Sequence, residues 1–450
     1  MKDLGGIGLR LRDAVVRLRS SAFVKNVLIV MSGTAVAQII GYALTPIISR
    51  LFSPADFGLY GSFYAVVGVI AAGATLDYSQ AIMLPKEKED AVNLFTLSCV
   101  STAVVTGCCL VACVLFPRFV QSVMTAPNVW MSAVLVVATL VSGLNQACQA
   151  WCVRVKAFKD TSASQVIRSV SSSGMQVGFG YLKGGSLGLI VAGILADVFA
   201  SVNLVRVVVR DLWAMRRDIR WKWIRRLAKQ YRDFPMYSAS MNVINSLSLG
   251  LPVLLLTHFY GIAVAGAYAF GMRILSVPME FVLRSLRQVL FQKAAETHNL
   301  GDRLMPLYVK TTAGLFALAF VPSLILFLWA PSLFTWIFGT QWHTAGEFAR
   351  YLILWLMFMF CNLPSVLFAR ITRIQRKRFA FDLILLAARA MVLFGGGTYL
   401  PAIYTIILLS LVGAITNVAF IVIVGRILIK RETETALGAF GVTLVQDKFS

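Results

Sequence analysis

Acidic residues are scarce in this chain. Asp and Glu number 20 against 42 Lys and Arg, and all four together make up 14% of 450 residues. So little charge cannot cover the surface of two or three soluble domains. Histidine is scarcer still: His258, His298 and His343 are scattered and have no metal-ligand spacing. The seven cysteines all fall inside apolar runs, away from the oxidising loops where structural disulfides form. Cys148 and Cys152, four residues apart, read as small apolar packing residues rather than as a soft-metal pair. No Ser–His–Asp or phosphate-loop constellation is present, and no gap between apolar runs on the presumptive outer side is long enough for a catalytic domain. These absences exclude most enzyme classes, and no cofactor or metal is expected.

What the chain has in abundance is apolar sequence, 58% of its residues, with a mean hydropathy of +0.77. A helix needs about 20 apolar residues to cross the hydrocarbon. The runs predict about twelve spans, near 26–48, 57–83, 92–115, 129–152, 163–182, 186–208, 236–259, 263–291, 307–329, 346–369, 379–399 and 403–426. They are continuously apolar and too long for the alternating strands of a membrane barrel. Lys and Arg fall in every second gap: 10–25, 86–88, 154–159, 206–232, 284–303, 370–378 and 426–431 are basic, and the gaps between them are nearly bare. Cationic loops stay on the cytoplasmic side. The pattern predicts an all-α membrane protein with both termini inside.

The expected organisation is a basic N-terminus (1–25), a first six-helix bundle (26–209), a basic linker (210–235), a second six-helix bundle (236–428) and a cytoplasmic tail (429–450). Segment 9–19 is suited to an amphipathic helix on the inner leaflet, and equally to a basic tail that only sets topology. The linker mixes Trp213, Trp221, Trp223 and Tyr231 with cations, which suits a helix in the headgroup region. Its place between two membrane halves argues against nucleic acid as a partner. A shift of 208 residues lays Tyr60 on Tyr268, and Asn145 and Asn362 hold similar places in the fourth span of each half. Each half then continues into a fifth span bearing an arginine, Arg168 or Arg389. Two halves of six spans share one orientation, and parallel repeats of this kind hold the substrate path between them.

Ionisable residues inside spans cost about 2.5–3.5 kcal/mol on insertion scales and mark functional positions. The eighth span aligns Arg273, Glu280, Arg284 and Arg287 within roughly 60° of arc. Glu280 is placed to pair with Arg284, leaving Arg273 the deeper cation. Arg284 and Arg287 also suit simple snorkelling to the inner surface. Pro278 is a hinge candidate. The fifth span carries Gln165, Arg168, Ser169, Ser172 and Gln176 on one face, and the eleventh carries Asp382 and Arg389. Gln38, Asn145, Gln149 and Asn242 add polar stripes on the first, fourth and seventh spans. Each uncharged stripe alone also fits helix–helix contact. Asp77 and Asp197 suit buried pairs with arginines, or a bound proton or Na⁺ that drives a cycle.

Three stretches resemble the Wzx-type polysaccharide and O-antigen flippases of the multidrug/oligosaccharidyl-lipid/polysaccharide superfamily: ISRLFSPADFGLYGSFYAV (48–66), AIMLPKEKEDAVNLFTLS (81–98) and FGTQWHTAGEFARYLILW (338–355). The resemblance implies two six-helix bundles forming a V around a central cationic cavity. It also implies transfer of a polyprenyl-pyrophosphate-linked oligosaccharide between the leaflets of a bacterial inner membrane. The implied partners are that lipid-linked substrate, membrane lipids, a polysaccharide polymerase and a chain-length regulator. Arginine suits pyrophosphate, so Arg273, with Arg168 and Arg389, is the expected holder of that group. Lipid II flippases and multidrug antiporters share the fold. The cavity arginines of the former do not carry over, because no Arg precedes Arg50 in the first span and none lies in the second. A multidrug antiporter taking cations would call for an acidic cavity, and this chain has more intramembrane Arg than Asp or Glu.

Overall fold

The computed structural model describes residues 39–124, 130–299, 303–372 and 375–446, and among them there is no strand. The helices are α1 (Thr45–Leu51), α2 (Pro54–Ala74), α3 (Tyr78–Ala81), α4 (Lys88–Leu115), α5 (Pro117–Met124), α6 (Trp130–Arg154), α7 (Phe158–Tyr181) and α8 (Gly185–Ala214). They continue with α9 (Trp221–Gln230), α10 (Ser240–Tyr260), α11 (Ile262–Asn299), α12 (Leu304–Phe338), α13 (His343–Cys361), α14 (Leu363–Ile371), α15 (Gln375–Tyr399) and α16 (Ala402–Gln446).

Ten of the expected spans are helices long and apolar enough to cross a membrane. The protein is therefore a multi-pass membrane protein. Of the other two, the span at 26–48 lies mostly outside the described residues, as do segment 9–19 and Gln38. The fifth is α7, which has 24 residues. At 1.5 Å per residue it runs about 36 Å, enough to span. Among the described helices of eighteen residues or more, α7 alone is too polar to read as a span from composition, because one face is built of Ser, Gln and Arg.

The residues of the first two motifs act locally. Ser53 caps α2: its hydroxyl accepts from the Asp56 amide, and the Asp56 carboxylate accepts from the Ser53 amide at 2.9 Å. This reciprocal cap, with Pro54 in the first turn, fixes where the helix begins. α2 ends where Leu76 and Asp77 take left-handed φ values of 48° and 58°. The loop that follows is held by Arg154, at the end of α6, whose guanidinium donates to the carbonyls of Ile82 (2.6 Å), Pro85 (2.9 Å) and Glu87 (3.2 Å). On α4, Asn93 accepts from the Arg220 amide and donates to the Asp218 carbonyl, tying the linker down at 3.0 Å on both sides. α9 then buries Ile224 and Leu227 among Ile82, Leu94 and Trp151 and leaves its cations outside.

The chain divides into two units, Met1–Gly250 and Leu251–Ser450. The division falls inside α10, later than the 210–235 linker. The reason is local: the π-helical turn Phe234–Ala239 packs on α2 and α3, Val243 lies beside Gly73, and Gly250 sits against Ala65. In unit 1, Asn145 of α6 donates to Ser201 of α8 at 2.8 Å, and the two are 56 residues apart. In unit 2, Asn362 at the end of α13 donates to Asn417 of α16 at 2.8 Å, and those are 55 residues apart. The same link therefore joins the fourth and sixth expected spans of each half. The third motif builds a core in unit 2: Phe270 stacks on the fully buried Trp342 at 3.9 Å and meets Phe338 edge-on. Gly346 lets α13 approach α12 so closely that an added Cβ would stand 2.6 Å from the Pro331 Cα.

Candidate functional site

Unit 1 concentrates its polar side chains on α7 and the helices beside it. α7 turns Thr161, Ser162, Ser164, Ser173 and Gln176 inward and packs along α8. The contact is polar as well as steric: Ser164 donates to the Ala200 carbonyl (2.9 Å), and Asn203 of α8 donates to that of Asp160 (2.9 Å). Small side chains and interhelical hydrogen bonds are how helices adhere where hydrocarbon supplies no hydrophobic drive. These contacts fix the first turns of α7, and Arg168, one turn beyond Ser164, stands exposed at the edge of the same seam.

Arg168 reaches to α8 and forms an ion pair with Asp197, Nε to Oδ1. The pair is asymmetric: the Asp197 side chain is 11% exposed and that of Arg168 is 58% exposed. The carboxylate has left water and depends on its partner, whereas the guanidinium keeps its outer face open. Such a group can take a second anion without breaking a buried contact. Tyr64 of α2 is an electrostatic neighbour of both residues, and its ring lies 4.6 Å from that of Tyr60. Gly193 of α8 makes room for the Tyr64 hydroxyl, which would collide with any Cβ there. Asn145 adds a contact to the Asp197 carbonyl (3.5 Å), and Gln149 donates to Asn145 Oδ1 (2.5 Å). Gln176, 1% exposed, gives its amide to Ser172 (3.3 Å), and its buried carbonyl oxygen has no partner among the described residues.

Asp77 stands apart from this group. It is 6% exposed, and its carboxylate accepts from the Ser238 hydroxyl. That contact joins the end of α2 to the turn before α10. In unit 2, Arg389 of α15 is 4% exposed and lies 4.5 Å from the centre of the Trp355 ring on α13. Tyr268 and Asp382 are its electrostatic neighbours. Gly413 of α16 closes the other side of Trp355, where a Cβ would come within 2.5 Å of the ring. Arg389 is thus enclosed by its own bundle, in contrast to Arg168.

On α11, Arg273 is half-buried and Glu280 is exposed, each with contacts of its own. The side chain of Arg284 lies outside the described residues. Pro278 is exposed, and the helix continues through it from Ile262 to Asn299. Asn242 is exposed on the first turn of α10. The structure therefore brings Arg168, Asp197, Asn145 and Gln149 together, sets Asp382 by Arg389, and leaves Asp77 and Asn242 elsewhere. Sequence reasoning missed Tyr64 and Trp355, and read Arg154 as a topological charge. A signal existed for a tyrosine: the 208-residue shift already lays Tyr60, the ring neighbour of Tyr64, on Tyr268, the neighbour of Arg389.

No curated protein sequence matches this chain. Among solved structures, the lipid II flippase MurJ in an inward closed conformation superposes with a TM-score of 0.71 at 11% identity, over 93% of each chain. An inward-facing multidrug resistance transporter of the MATE family, from the MOP superfamily, gives 0.68 at 15% identity, over 90% of this chain and 96% of its own. An outward-facing MATE transporter gives 0.56 at 13%, over 89% of this chain and 96% of its own. At such identities the likeness is one of fold. The family described as "Polysaccharide biosynthesis protein" matches residues 47–347, which is more than half of the chain. The chain belongs to the polysaccharide biosynthesis protein family, on the fold of the MOP-superfamily transporters.

Proposed function

We propose that the protein is a flippase that carries a polyprenyl-pyrophosphate-linked oligosaccharide from the inner to the outer leaflet of a bacterial inner membrane, and is not an enzyme. The observation that carries this reading is α7, a membrane-length helix with a face too polar for lipid and an arginine more than half exposed on it. Hydroxyl and amide groups along such a face exchange hydrogen bonds with sugars as water does. Arg168 supplies a permanent charge and fork geometry for a phosphate group. Arg273 of unit 2 is the second candidate, tested independently. Arg389, sealed under Trp355, serves to hold its bundle together. Family membership supports the substrate class, and the basic gaps support cytoplasmic termini. A polysaccharide polymerase and a chain-length regulator are the expected partners.

The test is complementation of a flippase-deleted strain at matched protein levels, with leaflet accessibility of the lipid-linked glycan as readout. Wild-type protein restores outer-leaflet glycan, and Arg168→Ala and Arg273→Ala do not. Normal export by either Ala variant removes that arginine from the mechanism, and failure of the wild type with every such substrate removes the function.

A further inference from the structure

A groove of about 600 Å³ runs down the outside of unit 1 between α6 and α8. Val141 and Leu144 of α6 line it on one side and Val198, Val202 and Val205 of α8 on the other. Its floor is narrow because small residues meet there: Ser201 lines it and is tied across to Asn145 at 2.8 Å. That bond holds the two helices together beneath the groove, while the β-branched valines stand out as its wall. The described residues leave the walls open: Val202 is 48% exposed and Val205 40%.

Both helices run in the same direction toward the linker, and at that end the lining changes character. Arg206 and Arg210, one helical turn apart, close the groove. Arg210 touches Asp211 through Nε alone, at 3.4 Å, and its side chain is 77% exposed. Asp211 is itself engaged by the Trp151 indole N–H at 3.3 Å. Trp213, 69% exposed with the Arg216 guanidinium 4.6 Å from its ring centre, marks the headgroup level just beyond. From Val198 to Arg210 the helix climbs about 18 Å, close to the roughly 15 Å depth of one leaflet.

We infer that this groove binds one anionic phospholipid of the linker-side leaflet, with an acyl chain along the valines and its phosphate between Arg206 and Arg210. The length confines the occupant to a single leaflet, and the charge at one end only selects an anionic headgroup at that depth. Basic sites at the inner ends of membrane helices bind such headgroups, each Arg adding about 1 kcal/mol. The groove belongs to unit 1 alone, and its arginines lie nine and thirteen residues along α8 from Asp197, so the headgroup site stands whether or not the proposed substrate is right.

The experiment uses the full chain in detergent, titrated with phosphatidylglycerol and counted by native mass spectrometry. Wild-type protein is expected to hold one phosphatidylglycerol per chain, undisplaced by phosphatidylcholine. Arg206→Ala with Arg210→Ala weakens binding about 30-fold, equivalent to about 2 kcal/mol. Val202→Trp, which fills the groove and keeps both arginines, abolishes it at unchanged melting temperature. The linker pair Arg225→Ala with Arg226→Ala, equally exposed, leaves it intact. Unchanged binding in the first variant, equal loss in the linker pair, or displacement of phosphatidylglycerol by equimolar polyprenyl phosphate would each overturn the assignment.

Discussion

Removing Arg168 damages the protein in two separable ways, because its partner is buried and it is not. Arg168→Ala strands the Asp197 carboxylate, 11% exposed, without its cation. Breaking a fully buried pair in this way costs about 3–5 kcal/mol. Here the arginine is 58% exposed, so water already screens the contact, and the loss falls to about 1–2 kcal/mol. Asp197→Asn removes the charge and leaves a hydrated guanidinium, costing less than about 1 kcal/mol. The double variant, with no stranded charge, is more stable than Arg168→Ala alone. Stability is read from thermal unfolding in detergent, and export from surface polysaccharide at matched protein levels. The expected result is that the double variant regains stability but not export, while Asp197→Asn keeps export. Additive losses of stability would refute the coupling. Recovery of export together with stability would make Arg168 structural only.

Three further outcomes follow from the packing. Asn417→Leu strands the Asn362 amide and costs about 1–2 kcal/mol, whereas Asn362→Leu with Asn417→Leu costs less; a double-mutant cycle in detergent checks the coupling, expected near 0.6 kcal/mol and below about 1.7. Gly346→Ala forces α13 off α12 and costs about 1–3 kcal/mol, seen as a lowered melting temperature. Arg154→Ala releases the loop at 82–87, so hydrogen exchange there rises several-fold while α2 keeps its protection; Arg154→Lys, without the fork, restores only part of it.

Much of this architecture could be read from the chain, because the bilayer imposes length and apolarity on each span. What could not be read depends on facing. Arg168 and Arg389 hold equivalent places in the two halves and look alike in sequence, yet one is open and the other enclosed. The difference comes from Trp355, 34 residues before Arg389 on another helix, whose ring covers the guanidinium. Hydrophobic spacing along α15 carries no trace of that. Arg154 sits where a topological charge belongs, and its hold on the 82–87 loop emerges only once the chain folds back 67 to 72 residues. Asp77 suited either a buried pair with an arginine or a bound proton or Na⁺. A left-handed turn at the end of α2 aims it instead at Ser238. The asparagine links, by contrast, were foreshadowed by the repeat, since a buried amide shared by both halves needs an acceptor at the same remove.

Transport by the purified chain tests the central claim most directly. Proteoliposomes containing only this protein, loaded asymmetrically with a polyprenyl-pyrophosphate oligosaccharide, are exposed to an external glycosidase that cannot cross the bilayer. The account predicts that wild-type protein renders the protected pool cleavable and that Arg168→Ala with Asp197→Asn, folded to the same melting temperature as Asp197→Asn, does not. A protected pool that stays intact with wild-type protein, or that is released equally by the double variant, would contradict it.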